Sequence, residues 1–249
     1  MLRAFVVFLL LGSSAFCGTM RHDVHDSRHL EYGKKYGFVV RLTGKAREGM
    51  GNPDNATIEG SAVVIADEWV VTAAHVVEFM REPHFFFEGH QYQVSDIIQH
   101  PDFKLDDFGS QGDIALCRVT KKINVKNFPA LYSEEDEEGQ MCGSAGFGMH
   151  GKADSSTRQM DHQRRAGSNV VSGIRDDKLM CDMSRDNATQ LEFLPAHGDS
   201  GGGLFIKGKL AGIHSFVEGD GKADSSYGDR SFHTRISKHL PWMKSVMEK

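Results

Sequence analysis

Short apolar runs separated by polar turns dominate the chain. Phe38-Val39-Val40-Arg41-Leu42, Ser61 to Ile65, Trp69-Val70-Val71, Tyr92 to Ile98 and Ile114-Ala115-Leu116 predict strands in the first half. Met141 to Gly146, Leu179-Met180-Cys181, Gly203 to Ile206, Lys209 to Phe216 and Phe232 to Ile236 repeat the style in the second. Many short strands of this kind imply a barrel or a sandwich. Helical periodicity is confined to the C-terminus. There Trp242, Met243 and Val246 fall on one face, and Pro241 suits a first helical turn. Gly44 to Glu59 is polar and glycine-rich and reads as a surface loop. The acidic run Glu134-Glu135-Asp136-Glu137-Glu138 reads as a solvated connector between the halves. Gly-Lys-Ala-Asp-Ser-Ser occurs at 151–156 and again at 221–226. Two copies do not make a repeat architecture, and no physical reason for the duplication is apparent.

The first residues follow a different pattern. Met1-Leu2-Arg3 is a short cationic start, Ala4 to Leu11 is unbroken apolar sequence, and Gly12-Ser13-Ser14-Ala15 are all small. This is the layout of a secretory signal peptide over 1–17, with cleavage expected after Cys17 or nearby. The run is too short for a membrane span, which needs ~20 apolar residues. A lipid anchor on Cys17 is disfavoured by the bulky Phe16 before it. The expectation is an exported protein, extracellular or periplasmic, with no stable membrane association.

Composition narrows the picture. The 249 residues carry 29 Lys and Arg against 34 Asp and Glu, for a formal net charge of −5. That balance offers no basic excess for phosphates, so nucleic acid is not an expected partner. The 27 glycines and 6 prolines suit a loop-rich β protein. Beyond Cys17 the cysteines are Cys117, Cys142 and Cys181, so at most one internal disulfide can form. No Cys-x-x-Cys pair suggests a zinc ribbon or a redox motif. Asn55-Ala56-Thr57 and Asn187-Ala188-Thr189 are glycosylation sequons.

Three motifs carry chemistry. Gly198-Asp199-Ser200-Gly201-Gly202 sets a serine among glycines, which admit substrate backbone and let N–H groups converge. Thr72-Ala73-Ala74-His75 follows the apolar run Trp69-Val70-Val71, and Asp113 heads the buried run Ile114-Ala115-Leu116. Each piece alone is weak; the order His, Asp, Ser is specific.

With these motifs the sequence resembles the chymotrypsin/trypsin family of serine peptidases. The resemblance extends to Gln99-His100-Pro101, Gly146-Phe147-Gly148, Gly212 to Phe216 and the C-terminal helix. It implies an all-β fold of two six-stranded antiparallel β-barrels with a C-terminal α-helix. The first barrel, 18–125, would carry His75 and Asp113; the second, 126–249, would carry Ser200. It implies a secreted endopeptidase, monomeric, acting on protein or peptide substrates, with no metal and no organic cofactor. His75 would be the general base, Asp113 its orienting carboxylate and Ser200 the nucleophile, with the N–H groups of Gly198 and Ser200 as oxyanion hole. Ser215 matches the serine that supports the aspartate.

The departures concern pocket, activation and disulfides. Leu194 stands at the pocket base, where basic specificity uses an aspartate, and Val217 replaces a frequent wall glycine. Ser215, Ser231, His214 and His233 complete the expected pocket. Histidines there resemble those of glutamate-specific endopeptidases, so the expected residue before the cut is acidic or small and aliphatic. Packed strand histidines are the other reading. No Ile-Val-Gly-Gly activation site exists, so Asp199 would meet a new N-terminus near Met20 or an internal partner. Cys142 and Cys181 match family half-cystines whose partners are absent. A catalytically inactive binding protein on the same fold is the alternative, which the complete triad disfavours. An esterase is disfavoured by the missing α/β pattern.

Overall fold

The computed structural model describes residues 18–48, 56–104, 111–125, 127–219 and 225–248. Residues 1–17, read as a signal peptide, the sequon at Asn55 and most of the second Gly-Lys-Ala-Asp-Ser-Ser copy lie outside them.

The described residues begin with β1 (Gly18–Met20) and α1 (Asp26–Gly33). The first barrel follows: β2 (Val39–Ala46), β3 (Thr57–Ala66), β4 (Trp69–Thr72), the short α2 (Ala74–Glu78), β5 (Met80–Phe87), β6 (His90–Gln99) and β7 (Ala115–Val119). Its six strands close antiparallel in the order β2-β3-β4-β7-β6-β5. The second half supplies β8 (Met141–Gly146), β9 (His150–Lys152), β10 (Arg165–Arg175), β11 (Lys178–Asp182), β12 (Phe193–Leu194), β13 (Gly203–Ile206), β14 (Lys209–Glu218), β15 (Arg230–Arg235) and α3 (Ile236–Met247). Six of these close into a second antiparallel barrel, β10-β11-β15-β14-β13-β8. The two-barrel architecture with a C-terminal helix is the one the resemblance implied.

The strand sequences explain the closure. Val63, Val64, Val70, Val71, Ile114, Leu116 and Cys117 are wholly buried, because β3, β4 and β7 face the first barrel's interior on one side and packed chain on the other. Burying a side chain of this size is worth about 1.5–3 kcal/mol. In β5 the alternation is cleaner: Phe85 and Phe87 point inward and Phe86 outward, 59% exposed. A bulge at Glu82, with φ of 53°, shifts its register against β2.

Both chain ends cross between barrels. β1 inserts between β12, antiparallel, and β9, parallel, on the side of the second barrel. From the C-terminus, Ile236 and Met243 of α3 join the first barrel's core, and Trp242 packs edge-on against His100.

Several expectations need correction. Helix is not confined to the C-terminus, since α1 and α2 are also present. α1 is capped by the His25 side chain, a residue outside the usual capping set. α3 starts at Ile236, five residues before Pro241, which sits inside it. The strands β2 and β3 run into the segment 44–59 read as loop. The acidic run is not wholly solvated: Glu137 is buried and takes two hydrogen bonds from the Arg235 guanidinium, at 2.7 and 2.8 Å. No helix among the described residues is long and apolar enough to cross a membrane.

Candidate active site

β4 ends at Thr72, and the extended Ala73 turns the chain into α2, whose first turn carries His75. The Gln99 amide donates to the Ala74 carbonyl at 3.2 Å and fixes that turn. Asp113 lies in the loop entering β7. Its Oδ1 accepts the His75 backbone N–H at 3.0 Å, and its Oδ2 meets His75 Nδ1 at 2.8 Å. Ser215 of β14 donates its hydroxyl to the same Oδ2, and the Thr234 hydroxyl of β15 donates to the Asp113 carbonyl at 2.9 Å. One carboxylate is therefore held by groups from both barrels. Burial alone would raise its pKa. The charge and hydrogen bond of His75, with the Ser215 hydroxyl, outweigh this and hold it below the ordinary carboxylate range.

The third motif folds onto the same place. Gly201, at φ of 84°, packs so close that a Cβ would lie 2.1 Å from the Ser61 carbonyl oxygen and from Thr72 Oγ1, and 3.2 Å from the Ala73 nitrogen. No side chain fits there, and the nucleophile loop is thereby laid against the residues leading into His75. Ser61 N–H donates to the Ser200 carbonyl at 2.8 Å, and Ser61 Oγ donates to the Gly198 carbonyl at 3.0 Å while accepting Phe147 N–H. Gly198 has φ of 88°, open to glycine. Asp199 N–H is engaged by the Ala196 carbonyl, whereas neither the Gly198 nor the Ser200 N–H has an acceptor among the described residues. The arrangement sets His75 on Asp113 and lays the loop carrying the half-buried Ser200 against Ser61, Thr72 and Ala73.

Comparison with known proteins gives the family and the fold. The family model for Trypsin matches residues 46–243. The chain belongs to the trypsin family. It is 24% identical over 222 residues to a tryptase of Mus musculus, covering 75% of this chain and 77% of that protein. It is 28% identical over 190 residues to a trypsin of Simulium vittatum, covering 66% and 72%. Among solved structures, an HL collagenase superposes with a TM-score of 0.69 at 18% identity, covering 86% of this chain and 94% of that one. Neuropsin, a serine protease of mouse brain, gives 0.66 at 20%, covering 92% and 98%.

Within this trypsin-family chain the remaining site residues fall as follows. Leu194 of β12 is fully buried and packs with Ala153, Met183, Val217 and Tyr227. Asp199 is sealed from solvent: its carboxylate accepts Gly148 N–H at 2.8 Å, Ala196 N–H at 3.1 Å and Gly18 N–H of β1. Burial pushes its pKa up to about 7 against these bonds. Asp199 is thus met from within the chain, by the backbone N–H groups of Gly148, Ala196 and Gly18.

His214 and His233 sit opposite each other on β14 and β15, and both are buried. Their Nδ1 atoms are 2.8 Å apart, His214 Nε2 is 3.1 Å from Ser144 Oγ, and His233 Nε2 is 2.8 Å from Ser231 Oγ. Ser231 also contacts the Cys181 carbonyl, and the His214 ring meets the Ala145 backbone, so every ring nitrogen has a polar neighbour whichever tautomer each imidazole adopts. Burial holds His214 well below its ordinary pKa, with His233 adding to the shift, and burial lowers His233 to about 3. The pair is neutral and internally satisfied, so the acidic-pocket expectation finds its four ring nitrogens already engaged.

Ser61 and Thr234 were not marked from sequence as parts of this site. Ser61 heads the apolar run to Ile65 within β3 and is wholly buried, and a serine leading such a run is the signal that could have marked it.

Proposed function

We propose that the protein is an exported serine endopeptidase that hydrolyses peptide bonds through His75, Asp113 and Ser200. His75 takes the proton of Ser200 Oγ as the hydroxyl attacks the scissile carbonyl, then returns it to the leaving amine. Asp113 fixes the imidazole with Nδ1 protonated and stabilises the imidazolium. The Gly198 and Ser200 N–H groups take the developing oxyanion, where one donor is worth about 10²–10³ in turnover. The acyl-enzyme is then released by water. The observation that carries this reading is the pair of hydrogen bonds between His75 and Asp113, made while the Gly198–Gly201 loop is laid against Ala73.

The residue before the cut is small and aliphatic rather than acidic or basic. The buried cluster of Leu194, Met183 and Val217 supports this, because it offers no partner to a charged head. The signal-like 1–17 supports export, and the substrates are proteins or peptides met by a monomer.

A fluorophosphonate probe tests the reading. Labelling at Ser200, lost in Ser200→Ala, is expected, together with peptide-library cleavage after Ala or Val. An unlabelled wild-type protein would overturn the enzyme reading, and preferred cleavage after Arg, Lys or Glu would overturn the pocket.

A further inference from the structure

A second buried cluster lies beneath the Asp113 loop, and the mechanism above does not use it. Asp177, immediately before β11, is 1% exposed, and Lys178 beside it is 2% exposed. The Asp177 Oδ1 is 2.5 Å from Lys178 Nζ, and its Oδ2 is 2.8 Å from His239 Nε2 of α3. The same Oδ2 accepts the backbone N–H of Gly112 at 2.8 Å, across 65 positions of sequence and from the other barrel. Gly112 directly precedes Asp113. It has φ of 81°, and a Cβ there would meet His100 Nδ1 at 2.9 Å and Phe103 N at 3.0 Å, so this peptide has no side chain of its own to hold it. His100 in turn packs edge-on against the His239 ring, with centroids 4.6 Å apart.

The loop is consequently gripped on both sides of Asp113. The N–H one residue upstream goes to Asp177, and the Asp113 carbonyl takes the Thr234 hydroxyl. Within the turn, Ile114 N–H returns to the Gly112 carbonyl at 2.7 Å. A peptide fixed at both ends leaves the Asp113 side chain little freedom about its backbone, and a carboxylate that must meet two N–H groups of His75 at once needs that. A surface loop would not have this order by itself.

We propose that Asp177 is a positioning residue for Asp113, acting through the Gly112 peptide, and that Lys178 and His239 hold its carboxylate in place. The proposal rests on the triad reading given above. Asp177 touches no substrate. Its chemistry is that of an acceptor: the loss of its oxygen leaves the Gly112 N–H buried without a partner and lets the loop shift. A misplacement of ~1 Å in such a constellation costs up to about 10²-fold in rate.

Removing Asp177 alone would take the adjacent carboxylate from the buried Lys178 ammonium, so the test replaces both. Asp177→Asn/Lys178→Met keeps an oxygen facing Gly112 and His239, whereas Asp177→Leu/Lys178→Met has none. Asp177→Ala/Lys178→Met also has none and does not crowd the site, so a folding failure of the Leu form leaves the test in place. With folding verified by melting curves, the Asn form is expected to stay within about threefold of wild-type kcat. The forms lacking an acceptor are expected to lose about 10- to 100-fold in kcat with KM nearly unchanged. A merely structural role would leave kcat unchanged in the folded fraction counted by fluorophosphonate titration. Wild-type kcat in a folded acceptor-free form would overturn the proposal, as would an Asn form as damaged as the others. Failure of the wild-type protein to react at all would instead sink the triad reading.

Discussion

Asp113 shows how much one side chain is asked to do. Its Oδ2 faces both His75 Nδ1 and the Ser215 hydroxyl, so it accepts two hydrogen bonds on one oxygen while almost sealed from water. Asp113→Asn keeps the size but presents an amide N–H₂ to one of these partners. If that group faces His75, the imidazole must accept at Nδ1, its proton moves to Nε2, and it can no longer take the proton of Ser200. Turnover is expected to fall by about 10⁴, as the same change does in the template triad, while the melting midpoint stays near wild type. A loss under tenfold in steady-state peptide hydrolysis would show that another group orients His75. His75 and Asp113, which the fold brings together, were legible because each sits in a short motif of its own. Their holders were not. Ser61, Thr234 and Asp177 reach the site from distant strands, and no local spacing links position 112 to 177 or 113 to 234.

At the scale of elements, legibility followed hydrophobicity. β3 and β4 are valine-rich and buried, and the sequence marked both. β10 went unread because its residues are small: a Cβ on Gly167 would lie 2.2 Å from that of Phe193, so glycine is required where a strand would ordinarily show a branched side chain. β5 was hidden by Arg81, Glu82 and Pro83. The β14–β15 pair carries its own prediction. His214 and His233 are buried neutral, with folded pKa values below the unfolded one of about 6.5. The unfolded chain therefore binds more protons in this range, and stability drops as pH falls from about 6.5 toward the value of about 3 at His233. Each imidazole contributes a slope of at most about 1.4 kcal/mol per pH unit. Buried His29, lowered to about 4 by desolvation, adds to the same window, and Asp199 opposes it. The comparison is accordingly with His214→Val/His233→Phe. Denaturant melts between pH 6.5 and 4.5 are expected to show a flatter dependence in the double variant. Equal slopes would mean that the pair is not neutral in the folded protein.

At the scale of the whole molecule, the crossing of β1 links the start of the chain to the pocket. β1 pairs with Phe193 and Leu194, the Thr19 hydroxyl donates to the Ser225 carbonyl, and Gly18 lies against Asp199. A Cβ on Gly18 would come within 2.5 Å of the Phe193 ring and 2.7 Å of Asp199 Oδ2, so only glycine fits. The carboxylate is otherwise costly to ionise, since burial raises it to about 7. Cleavage after Cys17 would turn the Gly18 N–H into an ammonium at the same place, and a cation there stabilises the ionised Asp199. The amine's folded pKa is thereby raised above its unfolded value of about 8. Its stabilisation is complete below that value and is lost as pH rises through the folded one. Protein released with Gly18 as its first residue is therefore expected to hydrolyse peptides at neutral pH and to lose activity reversibly at alkaline pH. Protein retaining residues before Gly18 is expected to be at least about tenfold less active at neutral pH, because the amide cannot supply the charge. Gly18→Val, released with the same terminus, is expected to behave like the extended form. Assays of the three proteins across pH 6 to 10, with the first residue identified by terminal sequencing, decide the matter. Equal activity and equal alkaline behaviour in the extended and released forms would mean that Asp199 is held by Gly148 and Ala196 alone.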